Sequence, residues 1–326
     1  MSSESPVAGP VVVHALAPLG RADLGGTTAV VTGANSGIGF ETARVLASRG
    51  ADVTLACRNL PAAERAAAQI RHEVRGAQNR RADVLGGEIF VAKLDVSSLS
   101  SVRSFAHAWE GPLDLLVNNA GVMTPRTWHG TPDGFELQFG TNHLGHFALT
   151  GLMLSSLQLA ASPRVVTVSS LAHHSGRADV VDGNPPQGYK PERAYGNSKL
   201  ANVLFGAELQ RRASAHGTAL TSTMAHPGIS ATGLAVDPEG LGANRAVRVL
   251  APWVMKAVFQ SAAAGARPIL YAASEAAPGS YTGPRWMRES RGPAGPAKLS
   301  ILAQDPTLAS RLWQLSQDLT GVEYHW

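Results

Sequence analysis

The chain has 326 residues, 44% hydrophobic and 16% charged, which suits a soluble globular protein with a sizeable core. Its formal net charge of +4 is spread along the chain without a dense Lys/Arg run, which argues against nucleic-acid binding. The single cysteine, Cys57, excludes an intramolecular disulfide and fits a reducing compartment, so a cytoplasmic location is expected.

The first 23 residues read as an arm. Val11, Val12 and Val13 are flanked by Pro10 and Pro18, Glu4 is acidic, and no basic region precedes them, so this is a poor signal peptide. Residues 28–32 form a short buried strand, 33–39 a tight loop, and 40–49 a helix stopped by Gly50. Residues 52–57 are the second strand. Pro61 opens a helix to about Val74, and 75–87 is a loop. Residues 89–94 are the third strand, followed by a Ser-capped helix over 99–109. The fourth strand covers 113–117, a long helical stretch 134–157, and the fifth strand 164–168. An irregular excursion over 171–194 precedes a helix over 194–215 and a sixth strand over 219–224. The apolar stretch 246–259 is interrupted by Arg248, Pro252 and Lys256, too short and too charged to span a bilayer; it reads as a lid or a surface-seeking helix. A helix over 261–273 and a short strand at 280–282 follow. The tail 285–298 is rich in Gly and Pro, and Asp305-Pro306 starts a last helix to about Leu319. Wholly apolar strands alternating with helices predict an α/β fold with a parallel sheet covered on both faces.

The loop Gly33-Ala34-Asn35-Ser36-Gly37-Ile38-Gly39 lies between a strand and a helix. Its glycines let the backbone approach a pyrophosphate, and the helix behind offers free N–H groups to the anion. The spacing Gly-x-x-x-Gly-x-Gly departs from the Gly-x-Gly-x-x-Gly fingerprint of the larger dinucleotide folds. Further on, Tyr195 and Lys199 stand four apart on a helix and share a face. The lysine cation is expected to lower a phenol pKa that starts near about 10, making Tyr195 a proton donor or acceptor.

With these residues the chain resembles the short-chain dehydrogenase/reductase family over about residues 24–284. The glycine loop is similar to the family's cofactor motif, and Asn118-Asn119-Ala120-Gly121 to its second signature. Asn142 matches the active-site asparagine, and Ser169-Ser170, Tyr195 and Lys199 match the serine, tyrosine and lysine. His226-Pro227-Gly228, with Ile229 and Thr232 beyond it, matches the turn that shapes the nicotinamide pocket. The wording around Cys57-Arg58-Asn59, Ser169 to His174 and Ser198 to Asn202 resembles the retinol-dehydrogenase and WW-domain oxidoreductase branch.

The resemblance implies one Rossmann-type, doubly wound domain of about seven strands over 24–284, with a lid at 234–259 and a C-terminal extension over 285–326. It implies that Tyr195 is the general acid or base and that Lys199 binds the nicotinamide ribose. A serine stabilises the substrate oxygen: the register favours Ser170, with Ser169 as runner-up. Asn142 would hold a water linking Lys199 to solvent. The residues at the nucleotide are Gly33, Asn35, Ser36, Gly37, Ile38, Gly39, Arg58, Asp95, Val96, Asn118, Ala120, Gly121, Tyr195, Lys199, Pro227, Gly228, Ile229 and Thr232.

An NAD enzyme usually carries an acid at the end of the second strand, where this chain has Cys57 and Arg58. An arginine can pair with a 2′-phosphate, so NADP(H) is expected, with Arg44 as a competing contributor. Asp95 also reads as a helix-start acid. His143, His146, His173 and His174 fall in two segments without an acid or cysteine at ligand spacing, so packing and pocket lining are expected and metal is not. The gap from Ser170 to Tyr195 exceeds the family's usual spacing, and residues 175–193 are expected to form a wall of the substrate entrance. Leu250, Trp253, Val254 and Phe259 in the lid imply either a lipophilic substrate or a partner contact. The expected function is interconversion of a carbonyl and an alcohol on a lipophilic small molecule, without nucleic acid or membrane, in a homo-oligomer built on the two long helices. The alternative is a catalytically silent NADP-binding interaction or sensor protein.

Overall fold

A computed structural model of the protein describes residues 24–80, 86–123, 127–229 and 260–326. The expectations for the N-terminal arm, Thr232 and the 234–259 segment lie outside these residues. Among the described residues, eight strands form one sheet in the order β3-β2-β1-β4-β5-β6-β7-β8. They are β1 (Thr28–Thr32), β2 (Asp52–Cys57), β3 (Ile89–Lys93), β4 (Leu115–Asn118), β5 (Arg164–Val168), β6 (Thr221–Ala225), β7 (Tyr281–Trp286) and β8 (Arg291–Pro296). The first seven run parallel, and β8 returns antiparallel to β7.

The helices are α1 (Gly37–Ser48), α2 (Leu60–Arg80), α3 (Leu99–His107), α4 (Leu137–Phe139), α5 (Gly145–Leu152), α6 (Leu154–Gln158), α7 (Pro191–Ala215), α8 (Ala262–Ser274) and α9 (Pro306–Thr320). Leu46 of α1, Ile70 of α2 and Ile269 of α8 cover one face of the sheet. On the other, Phe147 of α5, Phe205 of α7 and Trp313 of α9 pack together, with the Phe147 ring 5.1 Å from that of Trp313. Helix α9 starts as its sequence implies: Asp305 Oδ1 accepts hydrogen bonds from the Thr307 and Leu308 N–H groups at 2.8 and 3.1 Å. No helix among the described residues is long and apolar enough to cross a membrane.

The structure departs from the sequence reading in five places. Helix α2 continues to Arg80, past the expected loop boundary. The strand expected at 113–117 begins at Leu115, and that expected at 219–224 is shifted to Thr221–Ala225. The long helix expected over 134–157 is segmented: α4 is followed by a π-turn over Gly140–Leu144, then α5, and Met153 breaks α5 from α6. The Gly/Pro-rich tail 285–298, where the sequence predicts no strand beyond 280–282, supplies an eighth strand, because an edge strand tolerates prolines that a central one does not. The β7–β8 hairpin turns on Met287, Arg288 and Glu289, three successive non-glycine residues with φ of 50, 53 and 63°.

This topology decides where a site can form. The chain runs outward from β1 through β2 to β3, then returns to β4 on the other side of β1. Ligands of open α/β sheets bind at that switch point, outside the carboxyl ends of the strands. There Thr32, Asn118, Val168 and Ala225 end adjacent strands, and each is followed by a sequence motif.

Candidate active site

Gly33 and Gly37 adopt φ of 67 and 59°, the left-handed region that favours glycine. A Cβ on Gly33 would lie 3.0 Å from Ala120 Cα, and one on Gly39 would lie 2.7 Å from the Gly33 carbonyl. Nothing stands within 4 Å of a Cβ on Gly37, so the loop presents an open face there. Ser36, exposed at the N-cap of α1, makes no side-chain capping bond. The first-turn N–H groups are thus available to an anion, and the cradle fits a dinucleotide pyrophosphate. Asn35 is half-buried, and Ile38 anchors the loop in the core. Behind the loop Cys57 is buried, and burial pushes its thiol up to about 11, so it stays protonated.

Arg58 is exposed at the end of β2. Lys93, paired with Cys57 in the sheet, donates from Nζ to the Arg58 carbonyl at 2.6 Å. Among the described residues neither has a carboxylate partner. Arg44 is engaged elsewhere, 2.8 Å from Glu41 and 3.8 Å from Glu73. Lys93 was missed in the sequence reading; the signal available was its place two residues before Asp95 at the end of the neighbouring strand. Asp95 Oδ1 receives the Ser97 N–H at 3.0 Å and the Ser97 hydroxyl at 2.6 Å, holding the turn before α3, and Val96 is buried beside Gly145.

The second motif is braced to the first. The Asn119 and Ala120 N–H groups both donate to Thr32 Oγ1 at 2.9 Å, and Asn119 Nδ2 donates to the Thr32 carbonyl at 2.8 Å. Asn118 is turned inward: it is 1% exposed and its Nδ2 donates to Thr150 Oγ1 at 2.9 Å, so its side chain props α5 instead of facing the cleft. Gly121 lies against the catalytic candidates, since a Cβ there would be 3.1 Å from Asn142 Oδ1 and 3.4 Å from Lys199 Nζ.

Asn142 sits fully buried in the π-turn, a helical distortion common at functional sites. Its Oδ1 accepts from the Val122 N–H at 2.7 Å, and its Nδ2 donates to the Val122 carbonyl and to Ser198 Oγ, both at 2.9 Å. Ser198 Oγ in turn donates to the Tyr195 carbonyl at 2.8 Å. The Asn142 amide thus ties residues 121–122 to the turn of α7 that carries Tyr195. Just ahead of the π-turn, Glu136 is 2% exposed, and its carboxylate accepts from Gln138 N, Phe139 N, Asn184 Nδ2 and the Tyr189 hydroxyl. It anchors the 175–193 excursion to the segment bearing Asn142, and nothing in the sequence pattern singled it out.

The serines diverge. Ser169 is 2% exposed and donates to the Lys199 carbonyl at 2.7 Å. Ser170 accepts the Ala172 N–H at 3.2 Å, and its hydroxyl stands near enough to Tyr195 to influence the phenol. Lys199 is 5% exposed; Nζ lies 3.4 Å from the Val168 carbonyl and 5.7 Å from the centre of the Tyr195 ring.

The charge state differs from the sequence expectation. Burial raises the Tyr195 phenol above its ordinary value, and the neighbouring Ser170 hydroxyl, not Lys199, acts against that rise. Burial also holds Lys199 down to about 8. The physical reason is that phenol and ammonium are desolvated together, and the cation faces the ring.

At the last motif Gly228 adopts φ of 70°, and a Cβ there would lie 2.5 Å from the Ser290 carbonyl. The Gly228 N–H donates to His226 Nδ1 at 3.2 Å, the Pro227 carbonyl accepts from Gln260 Nε2, and the Ile229 N–H donates to the Ser290 carbonyl at 3.0 Å. Ile229, Trp286 and Met287 are exposed.

A glycine-loop cradle at the switch point, with a serine just beyond β5 and a tyrosine and a lysine on α7, is the arrangement expected of a dinucleotide-dependent oxidoreductase. The model of the family described as short chain dehydrogenase matches residues 27–239. The chain is 39% identical to Retinol dehydrogenase 14 of Mus musculus over 305 residues, 91% of this chain and 86% of that one. It is 38% identical to Retinol dehydrogenase 13 of Homo sapiens over 309 residues, 93% and 87% of the two chains. The structure resembles that of an uncharacterised protein from Mycobacterium paratuberculosis, with a TM-score of 0.75 and 42% identity, covering 96% of this chain and 100% of that one. The chain belongs to the short-chain dehydrogenase/reductase family.

Proposed function

We propose that this protein is an NADP(H)-dependent oxidoreductase that interconverts an apolar aldehyde or ketone and its alcohol, with Tyr195 handling the proton. The observation that carries the reading is that Lys199 Nζ stands by both the Tyr195 ring and Gly121, in the segment packed on the glycine loop, with Ser170 neighbouring Tyr195. When bound, the nicotinamide supplies or accepts the hydride. In reduction the Tyr195 hydroxyl gives its proton to the substrate oxygen; in oxidation the phenolate takes it back. Burial keeps the phenol protonated at neutral pH, which poises the free protein for reduction. Ser170, whose lone pair accepts the Ala172 N–H, keeps its hydroxyl hydrogen for the oxygen where charge develops. Lys199 holds its charge beneath the phenol and reaches toward the ribose hydroxyls.

The NADP(H) preference is supported by Arg58 and Lys93, two cations at the ends of β2 and β3 without a carboxylate partner among the described residues. The apolar substrate class is supported by exposed Ile229, Trp286 and Met287 next to the nicotinamide turn, and by the retinol dehydrogenases among the relatives. The single buried cysteine supports a reducing compartment such as the cytoplasm. The test is NADPH oxidation with a panel of apolar aldehydes that includes retinal. Tyr195→Phe is expected to lower kcat by about 10²–10⁴-fold. Full activity in that variant refutes the proton-transfer role, and binding of NADPH without turnover of any carbonyl refutes the enzyme reading in favour of a sensor.

A further inference from the structure

Behind Ser170, away from the cleft, lies a buried aromatic group that the proposed chemistry does not use. The Tyr281 ring centre is 5.1 Å from that of His173 and 5.2 Å from that of His226, and all three residues are buried. Their hydrogen positions follow from their partners. His173 Nδ1 lies 2.8 Å from the Ser170 carbonyl, which can only accept, so Nδ1 carries the hydrogen. His173 Nε2 then accepts the Ser300 N–H at 3.3 Å. The Tyr281 hydroxyl is 3.3 Å from both His173 Nδ1 and the Ser170 carbonyl. Since Nδ1 is already a donor, the phenol gives its hydrogen to the carbonyl.

The Ser170 carbonyl therefore receives the His173 side chain, the Tyr281 hydroxyl and, at 3.1 Å, the His173 backbone N–H. Such a carbonyl fixes the plane of its peptide and, with it, the Cα–Cβ vector that aims the hydroxyl. The Ala172 N–H fixes the hydroxyl itself by occupying one lone pair. Two of the tethers, Tyr281 and Ser300, come from beyond residues 27–239, the part that matches the family model.

The geometry points to His173 and Tyr281 as positioning residues for Ser170, gripping its carbonyl so that its hydroxyl meets the Tyr195 phenol and the substrate oxygen. The inference rests on the reading of Ser170 as the serine of the active site. The C-terminal part of the chain, through β7 and Ser300, thereby takes part in aiming that serine.

Three variants separate this role from mere packing. Tyr281→Phe keeps the ring and deletes one donor. His173→Leu deletes the other. His173→Asn keeps an N–H at the δ position while giving up the Ser300 contact and the ring packing on Tyr281. Tyr281→Phe and His173→Leu are each expected to lower kcat by roughly three- to tenfold, the worth of one hydrogen bond, with KM for NADPH unchanged. His173→Asn is expected to keep kcat within about twofold of the parent, because the donor to the Ser170 carbonyl is retained. In a Ser170→Ala background, Tyr281→Phe is expected to have no further effect on kcat, because residues acting through one another are not additive. A readout on the cofactor-free protein is the ¹³Cζ shift of Tyr195, assigned by its loss in Tyr195→Phe. It should move in the same direction in Ser170→Ala, His173→Leu and Tyr281→Phe, and return in His173→Asn.

Unchanged kcat and Tyr195 shift in Tyr281→Phe, with only the unfolding temperature lowered, overturns the proposal, as does full additivity with Ser170→Ala. Should His173→Leu fail to fold, Tyr281→Phe carries the test alone. Full activity in Ser170→Ala would instead overturn the prior reading of the serine, a distinct outcome.

Discussion

Thr32 Oγ1, at the end of β1, lies 2.9 Å from Nε2 of His146, 114 residues further along the chain. His146 Nδ1 faces the Asn142 carbonyl at 3.1 Å and must carry the hydrogen, so Nε2 accepts from the Thr32 hydroxyl. The lone pairs of that hydroxyl accept Asn119 N and Ala120 N. Thr32→Val keeps the shape and leaves His146 Nε2 and the Ala120 N–H without that partner, Asn119 N still reaching the Val117 carbonyl at 3.0 Å, at about 1–3 kcal/mol for each lost partner. The expected result is a lowered guanidinium midpoint with an unchanged slope; a midpoint like the parent's would mean that the hydroxyl contributes nothing.

Burial holds four histidines well below the usual range: His143 and His226 at about 3, His146 and His173 at about 4. The unfolded chain therefore binds protons that the folded chain refuses. Their contribution is present in full above about pH 6.5 and is lost as pH falls from there toward 4, on the order of several kcal/mol in sum. Denaturation curves at pH 7.5 and 5.5 should show the loss, and His143→Phe should reduce it. Equal stability at the two pH values would contradict the assignment.

Lys199, held near 8, loses its charge at mildly alkaline pH. Reductive kcat is expected to fall as pH rises through about 8, while Lys199→Met is expected to be low and flat across the same range. A parent profile level to pH 9.5 would detach the lysine from the reductive step.

Arg58→Asp is expected to shift the ratio of kcat/KM values toward NADH by about ten- to a hundredfold, the loss of a charged hydrogen bond plus a new repulsion. Arg44→Ala should leave the ratio within a factor of about two, since Arg44 is committed to Glu41. A larger shift in Arg44→Ala than in Arg58→Asp would reverse the assignment of the phosphate-facing cation.

What could be read before the fold was known follows a physical divide. The glycine loop, the Tyr195–Lys199 spacing and strands such as Thr28–Thr32 are local, set by backbone sterics and by period. Strand β8 was missed because its Gly and Pro content argues against a strand, and only pairing with β7 makes it one. The π-turn at Asn142 was missed because it depends on contacts outside the helix: a Cβ on Gly140 would lie 2.6 Å from Thr131 Cγ2. Asn118 was expected at the nucleotide, yet its side chain points to Thr150, a partner 32 residues away. The direction of the Tyr195 shift was misread for a related cause: spacing reveals a neighbouring charge, whereas desolvation is a property of the whole packed site.

Strand β8 has one more consequence. A sheet ending on β7 would offer its ladder of amides to any passing chain, an invitation to aggregation. Among the described residues the outermost strand is β8, and it carries Pro293 and Pro296, which have no amide hydrogen to give. On that flank the sheet resists growth by strand addition, so two copies of the protein would more readily meet through their helices than by continuing one another's β-structure.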